Sequence, residues 1–317
     1  MNFAFKTINE FNDYFKTEKV CYEFFEQIRW NGSPVCPHCG NAKYYTVKAR
    51  GKFTDIPSYR CADRTCGLPF TVRSKSIFEG SKVELKKWLQ AVYEISTCKN
   101  GISSIELATR IGTSQKTAWF INHRLRGMLN ETQSTLLTDV VSVDECSIGG
   151  KNKNKHADKK VPHSQGRSYK GKTAVFGARG ITGEVRTKVI PNVEAATIVP
   201  IIEQWIEKGS IMVSDDWNAY RSLKQDYFHV VVNHSEGEYV TGCFSTNGIE
   251  NFWSLFKRGV IGTHHSISPK HCQKYANEFA DRYNKKDFTN IQRFGKLLEK
   301  CSIERETYKE LTLSKPE

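Results

Sequence analysis

"FSTNGIENFWSLFKRGVIG", residues 244–262, crowds three phenylalanines and a tryptophan around a single carboxylate, Glu250. At 100° per residue, Ile249, Phe252, Trp253, Phe256 and Val260 fall on one stripe, so the spacing predicts a helix with a core-facing side. Glu250 and Lys257, seven residues apart, return to within about 20° of one another on a second face, roughly 10 Å apart along the axis, with Ser254 between them. Taken alone, an acid and a base on that face read as a solvated surface. Whether Glu250 is instead a mounted chemical group depends on other acids.

Those acids lie upstream, where the pattern changes to short apolar runs. "DVVSVDECSIGG" (139–150), "KTAVFGARG" (172–180) and "EVRTKVI" (184–190) read as three successive strands, followed by a helix over about 194–208. "IMVSDD" (211–216) is a buried strand ending in acids, and "HVVVNH" (229–234) is another strand before the helix of Glu250. This order predicts an α/β layer arrangement with carboxylates at strand ends. Two acids at strand ends and one on a later helix suit two-metal phosphoryl transfer, because carboxylates are hard oxygen ligands for Mg²⁺. Strand alternation does not choose between Asp144 and Glu145, nor between Asp215 and Asp216. "GGKNKNKHADKKVPHSQGRSYKGK" (149–172), with almost nothing to bury, is expected to be a loop whose charge suits DNA.

The whole chain, 317 residues with a net charge of +13, is long enough for two or three domains and favours a polyanionic partner, nucleic acid before membrane. No apolar run spans a bilayer, and "MNFAFKTINEFNDYF" is broken by charge too early for a signal peptide, so a cytoplasmic, nucleoid-associated protein is expected. In a reducing compartment the ten cysteines argue against a disulfide framework. "CPHCG" and "CADRTC" place Cys36, Cys39, Cys61 and Cys66 in two knuckles, close to a zinc ribbon holding one Zn²⁺. The second knuckle is wide, which leaves His38 open as a replacement ligand. Cys21, Cys98, Cys146, Cys243, Cys272 and Cys301 have no such spacing and read as core residues or inert thiols.

Residues 81–129 read as three helices. Ile105, Leu107, Ala108 and Ile111 mark one of them, "GTS" (112–114) makes a turn with Ser114 as N-cap, and "QKTAWFINHRLRGML" opens the next. That is helix-turn-helix grammar: Gln115, Lys116 and Thr117 would face a major groove, with His123, Arg124 and Arg126 on phosphates. The domain organisation expected is an N-terminal helical segment (1–33), a zinc ribbon (34–75), a helix-turn-helix DNA-binding region (80–130), a catalytic domain (139–290) and a C-terminal helical tail (291–317).

Several blocks occur together and in order: "RWNGSPVCPHCG", "FTVRSKSIFEGSKVELKKWLQAVYEI", "QKTAWFINHRLR", "VSVDECSIGGKNKNKH", "VSDDWNAY" and "IENFWSLFKRGVIGTHHSISPKHCQKYANEFADRYN". By these blocks, over nearly its whole length, the chain resembles the transposases of the IS1595 group, whose catalytic part is the ISXO2-like domain of the DDE superfamily. The resemblance implies a multidomain α/β protein in which a ribonuclease-H-like mixed sheet with flanking helices follows the ribbon and the helix-turn-helix. It puts the carboxylate triad on Asp144, Asp215 and Glu250, a basic residue at Lys257, and Mg²⁺ or Mn²⁺ among the acids. It also implies binding of double-stranded DNA at element ends and target, strand cleavage and strand transfer, and at least a dimer. A nuclease that cuts without joining and a non-catalytic repressor are the rival readings. His264, His265 and His271 show no ligand spacing and read as structural or phosphate-facing.

Overall fold

The computed structural model describes residues 3, 5–49, 51–129, 135–150, 158, 160, 171–215, 226–232 and 240–313. The chain divides into two compact units, one formed by residues 1–129 with 287–317 and the other by residues 130–286.

In the first unit, α1 (Ile8–Tyr14) opens on a capping box between Thr7 and Glu10, and α2 (Glu18–Trp30) is capped by Thr17. Three short antiparallel strands follow, β1 (Tyr44–Thr46), β2 (Tyr59–Cys61) and β3 (Pro69–Phe70), in that spatial order. The helix α3 (Leu85–Thr97) has no side-chain cap of its own. Instead the Glu18 carboxylate accepts from the Leu85 and Lys86 backbone N–H groups, supplying negative charge at the positive end of the helix. Helices α4 (Ser104–Ile111) and α5 (Gln115–Gly127) are joined by a tight turn in which Gly112 takes the left-handed conformation at φ 59° and Ser114 caps α5.

This unit's core mixes aliphatic side chains with a group of aromatic ones. Phe5, Phe11 and Tyr93 pack on the ring of Phe294, far along the chain, and Phe25, Phe78 and Trp88 belong to the same core. The ribbon has a separate small cluster of Cys36, Tyr59, Cys61 and Phe70.

The second unit is a five-stranded mixed sheet: β4 (Val140–Ile148), β5 (Thr173–Gly180), β6 (Val185–Ile190), β7 (Ile211–Ser214) and β8 (Phe228–Val231), in the order β6-β5-β4-β7-β8. β4, β5 and β6 run antiparallel, whereas β7 and β8 continue from β4 in parallel. The link from β6 to β7 carries α6 (Ala195–Trp205). One face of the sheet, with Val141, Val143, Phe176, Ala178 and Met212, packs on Ile198, Ile201 and Ile202 of α6. The other face, with Cys146, Ile148 and Val175, packs on α7 (Asn247–Gly259) and α8 (Cys272–Asn284). The apolar stripe read from residues 249–260 is the buried face of α7.

Residues 287–317 belong to the first unit, where α9 (Asn290–Glu299) and α10 (Tyr308–Thr312) lie. α9 packs on α3, and the Cys301 carbonyl accepts from the Ile77 N–H at 3.2 Å. No helix among the described residues is long and apolar enough to cross a membrane.

Candidate metal centre and acid site

The ribbon cysteines converge. Their four sulfurs lie within 4.8 Å of one another, with Cys36 Sγ 3.8 Å from Cys66 Sγ and Cys39 Sγ 3.5 Å from Cys61 Sγ. Four thiolates at Zn–S distances of about 2.3 Å would stand about 3.8 Å apart at the corners of a tetrahedron, so the donor set and its spacing fit zinc. The wide knuckle is accommodated because Asp63 turns the chain back, accepting from the Thr65 N–H at 2.8 Å. Cys66 therefore reaches the cluster and His38 is not needed in it.

The acid site is positioned by strand parity. On β4, Val141 and Val143 face α6, while Cys146 and Ile148 face α7. Asp144 shares the parity of Cys146 and so lies on the α7 side, whereas Glu145 lies on the α6 side. β4 pairs with β7 through Val140↔Ile211, Val141↔Met212 and Ser142↔Val213, and continuing that register brings Asp215, just past the end of β7, beside Asp144, which lies in the middle of β4 and not at the strand end expected. Adjacent strands are about 4.8 Å apart. Asp216 lies outside the described residues.

Glu250 enters from the first turn of α7, its Oε1 accepting from the Thr246 hydroxyl at 2.9 Å. The helix approaches closely because the register partner of Asp144 on β5 is Gly177. A Cβ there would come 2.5 Å from Trp253 Cζ2 and 3.2 Å from Ile249 Cδ1.

The electrostatics follow from this placement. Asp144, half-buried, has its pKa pushed up to about 7, first by burial and then by the negative charge of Asp215, with Glu250 adding to the effect. The Glu145 backbone N–H, 2.8 Å from Asp144 Oδ1, and the Lys257 ammonium oppose the shift. Lys257 also acts on Cys146, two residues along the same strand face. Three carboxylates, two of which raise the proton affinity of Asp144, are a hard-oxygen donor set short of positive charge, and they fit a divalent cation such as Mg²⁺. They are set more widely than the cysteines: among the described residues, the group of ligand atoms all within 4.8 Å is the sulfur cluster.

The residues expected on DNA divide in two. Gln115 and Lys116 are exposed and Thr117 is half-buried at the start of α5; Gln115 donates to Ser104 Oγ at 2.9 Å, and Lys116 lies 5.6 Å from the centre of the Tyr308 ring. His123, Arg124 and Arg126 are buried, which corrects the expectation that they face phosphates. Arg124 donates to the carbonyls of Ile77, Glu79 and Glu306, and its guanidinium stands 4.5 Å from the Phe120 ring centre. Burial pushes its pKa down to about 10. An arginine can be interior where its stem packs on rings and its fork meets carbonyl oxygens, and neither condition shows in helical periodicity. His123 packs against Trp119, with centroids 4.3 Å apart and the rings tilted by 53°. Sequence reading also missed Gly177 and Thr246; the one available signal for Gly177 was a glycine inside an otherwise continuous strand pattern.

Residues 136–284 match the model of the ISXO2-like transposase domain, and residues 16–68 match that of the transposase zinc-ribbon domain. A transposase-like protein of Haemophilus influenzae is 31% identical over 121 residues, 97% of its length and 38% of this chain. The chain belongs to the IS1595 group of ISXO2-like transposases. A second relative, a protein in the transposable element ISH50 of Halobacterium salinarum, is 28% identical over 279 residues, 84% of this chain and 90% of that protein. A pre-cleavage Mos1 transpososome structure aligns over 68% of this chain and 76% of that one, at 14% identity and a TM-score of 0.28, too slight a likeness to carry an argument.

Proposed function

We propose that this transposase-family protein is a DDE-type DNA transposase that binds the ends of an insertion sequence, cleaves a phosphodiester there and joins the freed 3′-hydroxyl to target DNA. The observation that carries the reading is the register that sets Asp144 beside Asp215 on adjacent parallel strands, facing the helix that brings Glu250. The strand order, three antiparallel strands extended by two parallel ones, supports a ribonuclease-H-like core.

Asp144, Asp215 and Glu250 would hold Mg²⁺ or Mn²⁺. When bound, the metal supplies Lewis acidity that activates the attacking oxygen and stabilises the leaving one. Phe252, Trp253 and Phe256 fix the Glu250 helix against the sheet, and Thr246 holds its carboxylate by the hydroxyl bond. Lys257 offers a positive charge on the same side, where a phosphate backbone would approach. No side chain need become covalently attached: water attacks phosphorus and releases a 3′-hydroxyl, which then attacks a target phosphate and displaces another 3′-oxygen. One phosphodiester is broken and one is formed in the second step.

Outside the acid site, the four cysteines would hold one Zn²⁺, and α4–α5 would act as a helix-turn-helix presenting Gln115, Lys116 and Thr117 to the major groove. Joining two ends to one target is expected to need a homo-oligomer. Purified protein incubated with Mg²⁺, target plasmid and pre-cut DNA ending in the repeats that flank its gene tests the reading. Covalent end–target joints are the expected product. Cleavage of uncut ends without joining would indicate a nuclease, and binding without either reaction a repressor.

A further inference from the structure

The second unit also carries an arginine that has no ion pair with the other described residues. Arg179 sits on β5 opposite Ser142. Among the described residues its Nε is buried without an acceptor. That nitrogen has given up water and gained no acceptor, and the half-buried guanidinium it belongs to is positively charged, so an anion is the ligand it would take.

Its surroundings are shaped around it. Gly248, in the first turn of α7, would place a Cβ only 2.6–2.8 Å from the guanidinium atoms, so a side chain there would displace it. Arg179 and Gly248 line a cavity of about 500 Å³ together with Ser142, Cys243, Phe244 and Ser245. The positive end of the α7 dipole opens on the same space. Ser142 is two residues from Asp144 on the same strand face, so the cavity begins about 7 Å from the acid site, roughly two base steps of DNA.

We infer that this cavity seats one backbone phosphate of the DNA strand being processed, bound by the Arg179 guanidinium, a step or two from the phosphate that reacts. The inference rests on the transposase reading. The two sites divide the work: the acids serve the reacting phosphate, and Arg179 fixes which phosphate that is, by holding a neighbour in register. Arginine suits the task because its planar fork meets two phosphate oxygens at once.

The test uses the full chain, Ca²⁺ to suppress chemistry, and the flanking-repeat DNA with single phosphates replaced by neutral methylphosphonates. In the unmodified protein, one replacement near the cleavage site is expected to weaken binding about 10-fold. Arg179→Ala should weaken binding of unmodified DNA by a similar factor and make that one replacement silent, while Arg179→Lys recovers part of the loss. Additive losses at every position would overturn the inference. A second measurement needs no variant: alkylation of the exposed Cys243, read by peptide mass, should slow when the DNA end is bound. Equal alkylation rates with and without DNA would also overturn it, whatever the variants do. If the protein cleaves and joins ends with Mg²⁺ yet shows additivity, only the Arg179 seat fails. If it neither binds nor cleaves them, the transposase reading fails and the seat with it.

Discussion

The four ribbon cysteines lie between residues 36 and 66 and close to within 4.8 Å, while the three acids are drawn from residues 144 to 250 and stand further apart. Beneath the cysteines is a core of four residues, two of them ligands. Beneath the acids is a five-stranded sheet with apolar packing on both faces. In the first region a metal would complete a fold too small to stand by itself. In the second the fold stands first and would present its acids to a metal that comes later. Loss of a ligand should therefore cost structure in one place and chemistry in the other.

The largest effect is expected at the acids. Asp144→Asn, Asp215→Asn and Glu250→Gln should each lower Mg²⁺-dependent cleavage and joining by about 10³-fold or more, with end binding and thermal unfolding little changed. Glu145→Gln, on the α6 side of β4, is the control and should keep most activity. Near-normal rates for Glu250→Gln beside an inactive Glu145→Gln would mean that the parity assignment is wrong.

Cys39→Ser should come next. Removing one thiolate is expected to release the zinc, unfold the ribbon and weaken end binding, while the second unit keeps its own unfolding transition. Zinc content by elemental analysis and hydrogen exchange over residues 36–70 check this. Full zinc occupancy and an unchanged ribbon in the variant would erase the contrast between the two regions.

Gly177→Ala sharpens the contrast from the other side, because it alters the scaffold and no ligand. Its Cβ would press on Trp253, so a loss of about 1–3 kcal/mol is expected. Cleavage should fall further than stability alone explains, because α7 carries Glu250. A denaturation curve and a rate measured on the same sample separate the two effects.

The smallest effect concerns Glu26, whose buried carboxylate accepts from the Tyr59 hydroxyl at 3.0 Å and ties α2 to the ribbon sheet. Burial lifts its pKa from 4.5 to about 7. The native state therefore holds this proton more tightly than the unfolded one, so stability falls as pH rises from 4.5 through about 7. Glu26→Gln removes the titration. Between pH 6 and 8 the first unit of the unmodified protein should lose about 1 kcal/mol relative to the variant, read from denaturant midpoints. Parallel pH profiles would show that Glu26 is ionised throughout.

The sequence made α7 legible because five apolar residues at helical spacing admit one buried face, and it made the strands legible as short apolar runs. It did not separate Asp144 from Glu145, since parity within a strand acquires meaning only when Cys146 and Ile148 are seen against α7. Charge misled at Arg124, where carbonyls of residues far away in the chain replace water. The four cysteines were readable because their spacing is local, and Gly177 was not, because its role is to leave room for a tryptophan 76 residues later.

The first unit is closed by Phe294 and the Cys301 carbonyl, so its core is incomplete until the ribosome has passed residue 301. The second unit, wholly contained in residues 130–286, is free to fold earlier, reversing the usual order in which N-terminal domains fold first during synthesis. A late frameshift in a copy of the gene would then leave the acid-bearing unit intact and strip the ribbon-bearing one of its closing helix. On the function proposed above, such a damaged copy would lose its hold on DNA before it lost its chemistry.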